Sequence, residues 1–391
     1  MKINTLSTLA LSLILLSACS TKKVEPKINN IDIEVPTTQQ ENVTTTTLHT
    51  LNSTAVVNPT INQNNITSSN FIGLDGHFAG NYKLLDFIDK MHYEHQFEKE
   101  YLNRIFSNAQ DINQIVIPCK TYNSRGDCVT VIKPQGKWDR YRGMFIYERN
   151  IDRGVAFWKE HENTLNHAYQ KYGVLPEYII GILGVETAYG VNFGKKRVLD
   201  VLTSKAMLGD RREGFYTKQL EKFLIMTRNS NLDPTVLMGS NAGAMGYGQF
   251  IASSYLSFAV DFNEDGVIDL WNAEDAIGSV ANYFAKNGWK REITQVAVRA
   301  KYRGSRFKRL KTGYKTKYSQ YRLKKKYAIK PRTRVDYRGP VSLIKLPKYS
   351  YDELWFGTHN FRVITTYNHS SFYGMVVYQL GQAVKHRRYG K

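Results

Sequence analysis

Cysteine and proline are scarce in this chain, which has three Cys and ten Pro among 391 residues. The sequence also lacks internal repeats, a phosphate-binding glycine loop, a zinc-spaced Cys/His set and an HExxH motif. Its nine histidines are scattered along the chain. The sequence therefore gives no sign of nucleotide-binding or zinc-dependent chemistry.

Long apolar runs are absent after the N-terminus, where one run extends from Ile3 to Leu16 behind Lys2. This run is too short to span a bilayer and has the length of a signal-peptide core. Cys19 follows a pair of small residues, a pattern that resembles the lipobox of bacterial lipoproteins. The resemblance implies a signal peptide at 1–18 and a lipidated Cys19; an ordinary cleaved signal is the alternative. Because Ser20 and not Asp comes next, we expect a lipid anchor at the periplasmic face of the outer membrane.

Residues 19–75 are rich in Thr, Asn, Ser and Gln and contain no aromatic residue before Phe71. Such a segment cannot bury enough apolar surface to offset the entropy lost on ordering. We therefore expect a lipidated cysteine followed by a flexible tether. The remaining cysteines, Cys119 and Cys128, flank a polar stretch, and in an exported protein we expect a disulfide between them, with free thiols as the alternative.

Apolar residues at helical spacing predict helices over 81–109, 154–172, 175–187, 215–227, 273–287 and 370–384. Strand-like alternation is scarce, so the fold class predicted is mainly α (α+β). We expect residues 76–388 to form one catalytic region. It would comprise a helical lobe at about 76–150, a core at about 151–289 and 349–388, and a basic insert at about 290–348.

Glu186 stands out because it ends the almost entirely apolar run from Tyr178 to Val185. Desolvation and the negative end of a helix dipole both favour the protonated form of such a carboxyl. A protonated carboxyl at neutral pH is what a general acid requires. The alternative is an exposed glutamate that only ends a helix.

Other segments decide between these interpretations. Residues 186–190 read ETAYG and residues 242–250 read AGAMGYGQF, which resembles the catalytic signature of lysozyme-like lytic transglycosylases. AVDF at 259–262, DAIGSVANYF at 275–284 and YNHS at 367–370 extend the resemblance to the membrane-bound lytic murein transglycosylase B family. It runs from about Phe87 to Val384 and is weakest near 291–348. The resemblance implies a lysozyme-like catalytic core.

The resemblance also implies the reaction and the site. Glu186 would protonate the β-1,4 bond between N-acetylmuramic acid and N-acetylglucosamine in peptidoglycan, then accept the proton of the muramoyl 6-hydroxyl, which leaves a 1,6-anhydro end without water. No catalytic cofactor is implied. The matching positions imply that the glycan strand is bound by Ser240, Gln249, Tyr141, Arg211, Arg212, Tyr283, Tyr367, Asn368 and Tyr373.

Residues 261–269 read DFNEDGVID, which spaces oxygen ligands as a calcium loop does, with glycine at the sixth position. Position 12 is Asn272 where the standard loop has a bidentate Glu. The family has a longer loop whose last carboxylate matches Asp275. We expect a structural Ca²⁺, with a plain acidic turn as the alternative. The expected ligands are Asp261, Asn263, Asp265, Val267, Asp269 and Asp275.

Residues 290–338 contain 19 Lys and Arg and two acids, a net charge of +17 out of +20 for the whole chain. The charge would either form a solvated lobe or bind an anionic surface, namely peptide carboxylates or acidic headgroups. Nucleic acid is excluded by the exported compartment. Two other functions stay open: a lysozyme-type muramidase using Asp200 or Asp210 as second carboxylate, and a non-catalytic wall-binding lipoprotein.

Overall fold

The computed structural model describes residues 73–112 and 136–390. These residues are mainly α-helical, as the apolar spacing predicts. The helices are α1 (Tyr82–His95), α2 (Lys99–Ser107), α3 (Lys137–Gly143), α4 (Glu148–Glu160), α5 (Glu162–Tyr172), α6 (Pro176–Thr187), α7 (Val198–Met207), α8 (Glu213–Asn229), α9 (Ala252–Phe258), α10 (Ala273–Lys286), α11 (Gln320–Tyr327), α12 (His359–Tyr367) and α13 (Ser371–Tyr389). The strands are β1 (Lys196–Arg197), β2 (Met238–Gly239), β3 (Ala297–Lys301), β4 (Lys317–Tyr318), β5 (Lys330–Pro331), β6 (Val341–Pro347) and β7 (Asp352–Gly357).

Two helices predicted from the spacing are each divided in the structure. Gln96 has a left-handed backbone (φ 53°) that ends α1, so the predicted 81–109 helix becomes α1 and α2. His161 separates α4 from α5 inside the predicted 154–172 helix. Apolar residues on both sides of each break pack into the same core, so the pattern continues where the helix does not.

Helix α6 lies at the centre of the main core, with Pro176 in its first turn and all residues from Glu177 to Val185 buried. A helix that is apolar all round has to be covered on every side, and α4, α5, α10 and α13 surround it. Glycine permits the closest of these approaches. A Cβ on Gly381 of α13 would lie 2.0 Å from the Glu177 carbonyl oxygen.

The sheet lobe, residues 297–357, contains a five-stranded antiparallel sheet in the order β4-β6-β7-β3-β5. One face packs on a small apolar cluster of its own, and the other face packs on the main core. In β6, for example, Leu343 belongs to the small cluster while Ile344 and Leu346 belong to the main core. The basic segment is therefore part of an ordered lobe, and the solvated-lobe interpretation holds only for its surface.

The sheet was not predicted because a strand buried on both faces shows no alternation of apolar and polar residues. The tyrosines that interleave with the basic residues also differ from expectation. Phe307 is buried, and Tyr302, Tyr318, Tyr327 and Tyr337 pack on the small cluster. Most of these rings therefore stabilise the lobe, whereas Tyr321 is exposed.

Several predictions fall on residues outside the described ranges. They are the signal peptide, lipidated Cys19, most of the tether, and the proposed pair Cys119 and Cys128. Within the described ranges, no helix is long and apolar enough to cross a membrane.

Candidate active site

Glu186 lies in the last turn of α6, directly before an abrupt change in chain direction. Ala188, Tyr189 and Gly190 all have positive φ (50°, 62° and 85°), and the Ala188 N–H bonds back to the Leu183 carbonyl. Side chains disfavour this region, so Ala188 and Tyr189 must be held there by their surroundings, whereas Gly190 adopts it freely. The turn ends α6 sharply and leaves Glu186 partly exposed at the end of an otherwise buried helix.

The Glu186 carboxyl has an unusual protonation equilibrium. Burial among its neighbours raises its pKa, and a hydrogen bond from Tyr373 partly opposes this rise. The net result is a pKa of about 7. The Tyr373 hydroxyl donates to Oε1 of Glu186 at 2.6 Å. The group therefore exists in both protonation states near neutral pH, as a residue that first gives and then takes a proton requires.

Three tyrosines surround this carboxyl. Burial, together with the negative charge of the Glu186 carboxylate, raises the pKa of Tyr141 to about 12. The same two causes raise the pKa values of Tyr367 and Tyr373 well above their usual range. The rings of Tyr367 and Tyr373 are stacked with centroids 6.3 Å apart, and Tyr283 meets Tyr367 edge-on at 4.8 Å. The structure thus brings together Glu186 and four of the tyrosines named from the sequence.

Tyr373 differs from its expected role as a sugar contact. It is 2% exposed, and its hydroxyl is engaged by Glu186. A side chain in this position orients the carboxyl and tunes its pKa, whereas Tyr141, Tyr283 and Tyr367 keep partial exposure. The sequence could not reveal this because the two residues are 187 positions apart.

The loop of residues 240–250 forms a second wall. Ser240 Oγ accepts hydrogen bonds from the Ala242 and Ala244 N–H groups, and Gln249 Nε2 donates to the Phe193 and Gly246 carbonyls. Both predicted residues therefore shape the loop itself. Thr187, which sequence analysis did not single out, joins this loop to α6 by donating from Oγ1 to the Tyr247 carbonyl at 3.1 Å. Its position beside Glu186 was the only available signal.

Another tie comes from Tyr367, whose hydroxyl donates to the Gly248 carbonyl. A Cβ on Gly248 would lie 2.8 Å from that hydroxyl, so the close approach of the loop to the tyrosine requires glycine at this position. Asn368 follows Tyr367 and is partly exposed. The end of α6, the 240–250 loop and the start of α13 therefore converge on one carboxyl.

The predicted calcium loop, 261–275, is folded around its own acidic side chains. Asp261 accepts from the Asp265 and Gly266 N–H groups, and Asp275 accepts from those of Phe262, Asn263 and Asp269. Besides burial, Asp265 raises the pKa of Asp269, and Asp261 raises that of Asp275. This mutual repulsion between oxygen donors fits a site that a hard cation would stabilise.

Within this loop, which the structure describes in full, no three carboxylates have oxygen atoms that all lie within 4.8 Å of one another. Among the described residues, the only group of three or more Asp, Glu, His or Cys side chains whose ligand atoms lie within 4.8 Å of one another is Glu94, His95 and Glu221. There the Lys90 ammonium contacts Glu221 at 2.7 Å, so a cation is already supplied by the chain.

Comparison with known proteins gives the family. The model of the transglycosylase SLT domain matches residues 81–382. The chain belongs to this family. The transglycosylase SLT match includes the sheet lobe, so the basic segment predicted as an insert lies inside the matched range.

Individual relatives agree with the family. The chain is 43% identical over 315 residues to the membrane-bound lytic murein transglycosylase B of Escherichia coli. This alignment covers 81% of this chain and 86% of the relative. It is similar to the Escherichia coli lytic transglycosylase Slt35, solved with bulgecin A and with calcium, at 42% identity and a TM-score of 0.72 over 81% of this chain and 97% of that one. Soluble lytic transglycosylase SltB1 of Pseudomonas aeruginosa matches at 34% identity, with a TM-score of 0.69 over 79% and 100% of the chains. A mainly α, lysozyme-like core is therefore established for this transglycosylase SLT chain.

Two other predicted groups lie on α7 or in the turn that follows it. Arg211 and Arg212 lie in the turn between α7 and α8, where the Arg212 guanidinium is 4.0 Å from the Phe215 ring. Asp200 binds Arg197 at 2.8 Å, and Asp210 binds Lys205 at 3.4 Å. Within the described ranges, no carboxylate besides Glu186 contributes to the Glu186 pKa.

Proposed function

We propose that this chain cleaves the β-1,4 bond between N-acetylmuramic acid and N-acetylglucosamine in peptidoglycan and leaves 1,6-anhydromuramoyl ends. The observation that carries the proposal is the Glu186 carboxyl, with a pKa of about 7 and a hydrogen bond from Tyr373. The relatives are named as lytic transglycosylases, and the chain belongs to their family.

We propose different tasks for the two carboxyl oxygens of Glu186. Tyr373 donates to Oε1, which leaves Oε2 to carry the acid proton. In the first step Oε2 gives this proton to the glycosidic oxygen as the bond to C1 breaks. In the second step the carboxylate, stabilised by Tyr373, takes the proton of the 6-hydroxyl as that oxygen bonds to C1. Glu186 ends as it began, and no water enters the products.

A muramidase that uses a second carboxylate has less support. Asp200 and Asp210 were the sequence candidates, and each is paired with a base: Asp200 with Arg197 and Asp210 with Lys205. Among the described residues, the Glu186 pKa is raised by burial and lowered by Tyr373, with no contribution from a second carboxylate. A transglycosylase needs only one carboxyl because the substrate supplies its own nucleophile.

We propose that partly exposed polar side chains around Glu186 bind the glycan strand. Tyr141, Tyr283 and Tyr367 present rings beside the carboxyl, and carbohydrate recognition uses such amphipathic rings. Ser240, Gln249 and Asn368 would contribute through the loop and the start of α13 that they shape. Arg211 and Arg212, in the turn between α7 and α8, would meet peptide or glycan.

We also propose that Asp261, Asn263, Asp265, Val267, Asp269 and Asp275 hold a structural Ca²⁺. The oxygen-rich loop and the mutual pKa effects of its carboxylates support this proposal, and Slt35 is known in complex with calcium. The ion would neutralise the repulsion and fix the connection from α9 to α10. No step of the reaction passes through it.

For location, we propose membrane association through a lipid on Cys19, at the periplasmic face of the outer membrane. The lipobox-like sequence supports it, and the Escherichia coli relative is named as membrane-bound. Several acyl chains on one cysteine are expected to hold a protein firmly. Cell fractionation of Cys19→Ala should recover the protein soluble or uncleaved, and unchanged membrane association would point to another anchor.

The proposed reaction is tested by mass spectrometry of the fragments that the purified protein releases from sacculi. Transglycosylation predicts muropeptides lighter than hydrolysis products by one water, about 18 mass units, because no water is added. Hydrated reducing ends as the main product would establish a muramidase instead. No release of either product would leave a binding protein.

A further inference from the structure

The surface of the sheet lobe carries a dense, unneutralised positive charge. Residues 301–338 contain 16 Lys and Arg, all exposed, and one acid, Asp336. Among the described residues, only Arg334 of these bases forms an ion pair, with Asp336 at 2.8 Å. The lobe folds without pairing these charges, so they are available to an anionic ligand.

One edge of this lobe is joined directly to the candidate active site. Tyr314 precedes β4, and its N–H donates to Ser371 Oγ, at the start of α13, at 3.1 Å. Its ring is parallel to the His369 ring, with centroids 6.4 Å apart and 9° between planes. His369 follows Asn368, and α13 carries the Tyr373 that binds Glu186. The β4 edge thus continues the wall beside the carboxyl.

Basic side chains project from this edge. Lys315 Nζ lies 5.8 Å from the centroid of the Tyr314 ring, which places Lys315, Tyr314 and His369 in succession. Lys311 and Lys317 flank them and are exposed. β4 is an end strand of the sheet, and it pairs with β6. Lysines often protect such an edge from pairing with another chain, but that role does not require a connection to the active-site wall.

We propose that the β4 edge, through Lys311, Lys315 and Lys317, binds the carboxylates of the acidic peptides carried by a glycan strand that occupies the active site. The inference rests on the proposed function, since it adds a subsite to the same cleavage. An ammonium group on an exposed stem suits carboxylates on a flexible peptide, because it needs no fixed approach direction.

An anionic membrane fits this surface less well. Proteins that lie on bilayers bury apolar side chains below the headgroups. On α11 the apolar residue Leu323 is fully buried in the lobe, while Lys324, Lys325 and Lys326 are exposed. The large exposed hydrophobic side chains of the sheet lobe are Tyr321, Tyr349 and Tyr351, each of which carries a polar hydroxyl. Across this lobe, all of which the structure describes, the lysines of α11 are therefore accompanied by exposed tyrosine rings and by no exposed aliphatic side chain that could enter the acyl region.

The test compares two double charge reversals of equal size. Lys315→Glu with Lys317→Glu alters the β4 edge, and Lys325→Glu with Lys326→Glu alters the last turn of α11. Helix α11 contacts β5, which lies at the opposite edge of the sheet from β4. The KM of each variant is measured with glycan strands that carry peptides and with strands from which an amidase has removed them.

The β4 variant should raise the KM for peptide-bearing strands about tenfold relative to the KM for peptide-free strands, from the loss of two weak ion pairs and the repulsion that replaces them. The α11 variant should change this ratio less than about twofold. Amidating the peptide carboxyl groups should abolish the difference between wild type and the β4 variant. Equal effects of both variants would mean general charge steering and would overturn the proposal, as would no effect of either.

Binding is measured separately from cleavage with Glu186→Gln, using sedimentation with sacculi and with vesicles of anionic phospholipid. The triple variant, Glu186→Gln with Lys315→Glu and Lys317→Glu, is compared with Glu186→Gln alone. If both bind sacculi with the same affinity, the proposed subsite is wrong, even where cleavage occurs as proposed. If wild type releases no anhydro product but sacculus binding depends on the β4 lysines, the proposed function fails and the subsite stands. Loss of vesicle binding alone would assign the edge to lipid and overturn the proposal.

Discussion

The hydroxyl of Tyr373 on α13 donates a 2.6 Å hydrogen bond to Oε1 of Glu186 at the end of α6. Burial raises the pKa of Glu186 to about 7, and this bond opposes the rise because it favours the carboxylate. Two segments 187 positions apart in sequence thus set one proton equilibrium. The helix pair that carries them depends on the close approach of α6 and α13 at Gly381.

Removing the Tyr373 hydroxyl should move the pH profile in a defined direction. Tyr373→Phe removes the bond that lowers the Glu186 pKa, so the pKa should rise further. Because the acid form starts the reaction, the alkaline limb of kcat/KM should shift upward by about half to one pH unit. The measurement is the rate of anhydro-muropeptide release between pH 5 and 9, in steps of about half a unit.

Tyr189→Phe is the matched control for this shift. Its hydroxyl is buried and has no hydrogen-bond partner among the described residues, so its removal breaks no bond to Glu186. The profile of this variant should coincide with wild type. An identical shift in both variants, or a downward shift in Tyr373→Phe, would contradict the assigned role of Tyr373.

Glu186 should lower stability at neutral pH. Its pKa is raised from 4.5 to about 7 on folding, so the folded state holds the extra proton between these values. Stability from this group is therefore greatest below pH 4.5 and falls as pH rises to about 7. The free energy of unfolding of Glu186→Gln should exceed that of wild type by about 1–3 kcal/mol at pH 8, and the two values should be equal near pH 4. Urea titrations at both pH values check this, and a pH-independent difference would argue against a raised pKa.

Calcium should raise the melting temperature of the purified protein. A ligand that binds only the folded state stabilises it, and the 261–275 loop gathers carboxylates that repel one another. Asp261→Ala should remove the calcium-induced rise. The comparison is between melting curves with calcium and with chelator for each protein, because Asp261 also accepts two backbone hydrogen bonds whose loss lowers stability by itself.

Glu264→Ala controls for the charge of the calcium loop. Glu264 is exposed and occupies a position that supplies no ligand in such loops, so its removal changes the net charge as Asp261→Ala does. This variant should keep the calcium-induced rise. A rise that survives Asp261→Ala and disappears with Glu264→Ala would place the ion elsewhere.

The crossing of α6 and α13 should tolerate no side chain at Gly381. A Cβ there would lie 2.0 Å from the Glu177 carbonyl oxygen, and the backbone would have to move apart. Gly381→Ala should lower the free energy of unfolding by about 2–4 kcal/mol. Gly214→Ala in α8, where a Cβ meets nothing within 4 Å, should raise it by about 0.5–1 kcal/mol. Equal effects at both positions, measured by urea unfolding, would show that the contact does not limit the packing.

The sequence was most informative where a functional residue interrupts a local pattern. Glu186 could be named because a carboxylate ends an apolar helix, and that helix was predicted almost to the residue. Helices α8, α10 and α13 were also predicted with ends within a few residues. Amphipathic spacing is set by local geometry, so it can be read without knowledge of the fold.

Features that depend on distant segments could not be predicted. The Tyr373 bond to Glu186 needs α13 to lie beside α6, and the sheet lobe needs β6 to be covered on both faces. Ser240 and Gln249 were expected to bind the glycan strand, and this stays a prediction; the hydrogen bonds that they form hold the 240–250 loop itself. Local breaks at Gln96 and His161 were missed because the apolar pattern continues across them.

The central claim is that the Glu186 carboxyl performs both proton transfers of a cleavage that leaves 1,6-anhydro ends. It is tested most directly by quantifying anhydro-muropeptides that wild type and Glu186→Gln release from sacculi near pH 6.5, with circular dichroism to verify that both are folded. Wild type should release them, and the variant should release fewer by a factor of at least about 10³, because an amide neither gives nor takes the proton. A folded Glu186→Gln protein that releases anhydro-muropeptides at the wild-type rate would contradict the account.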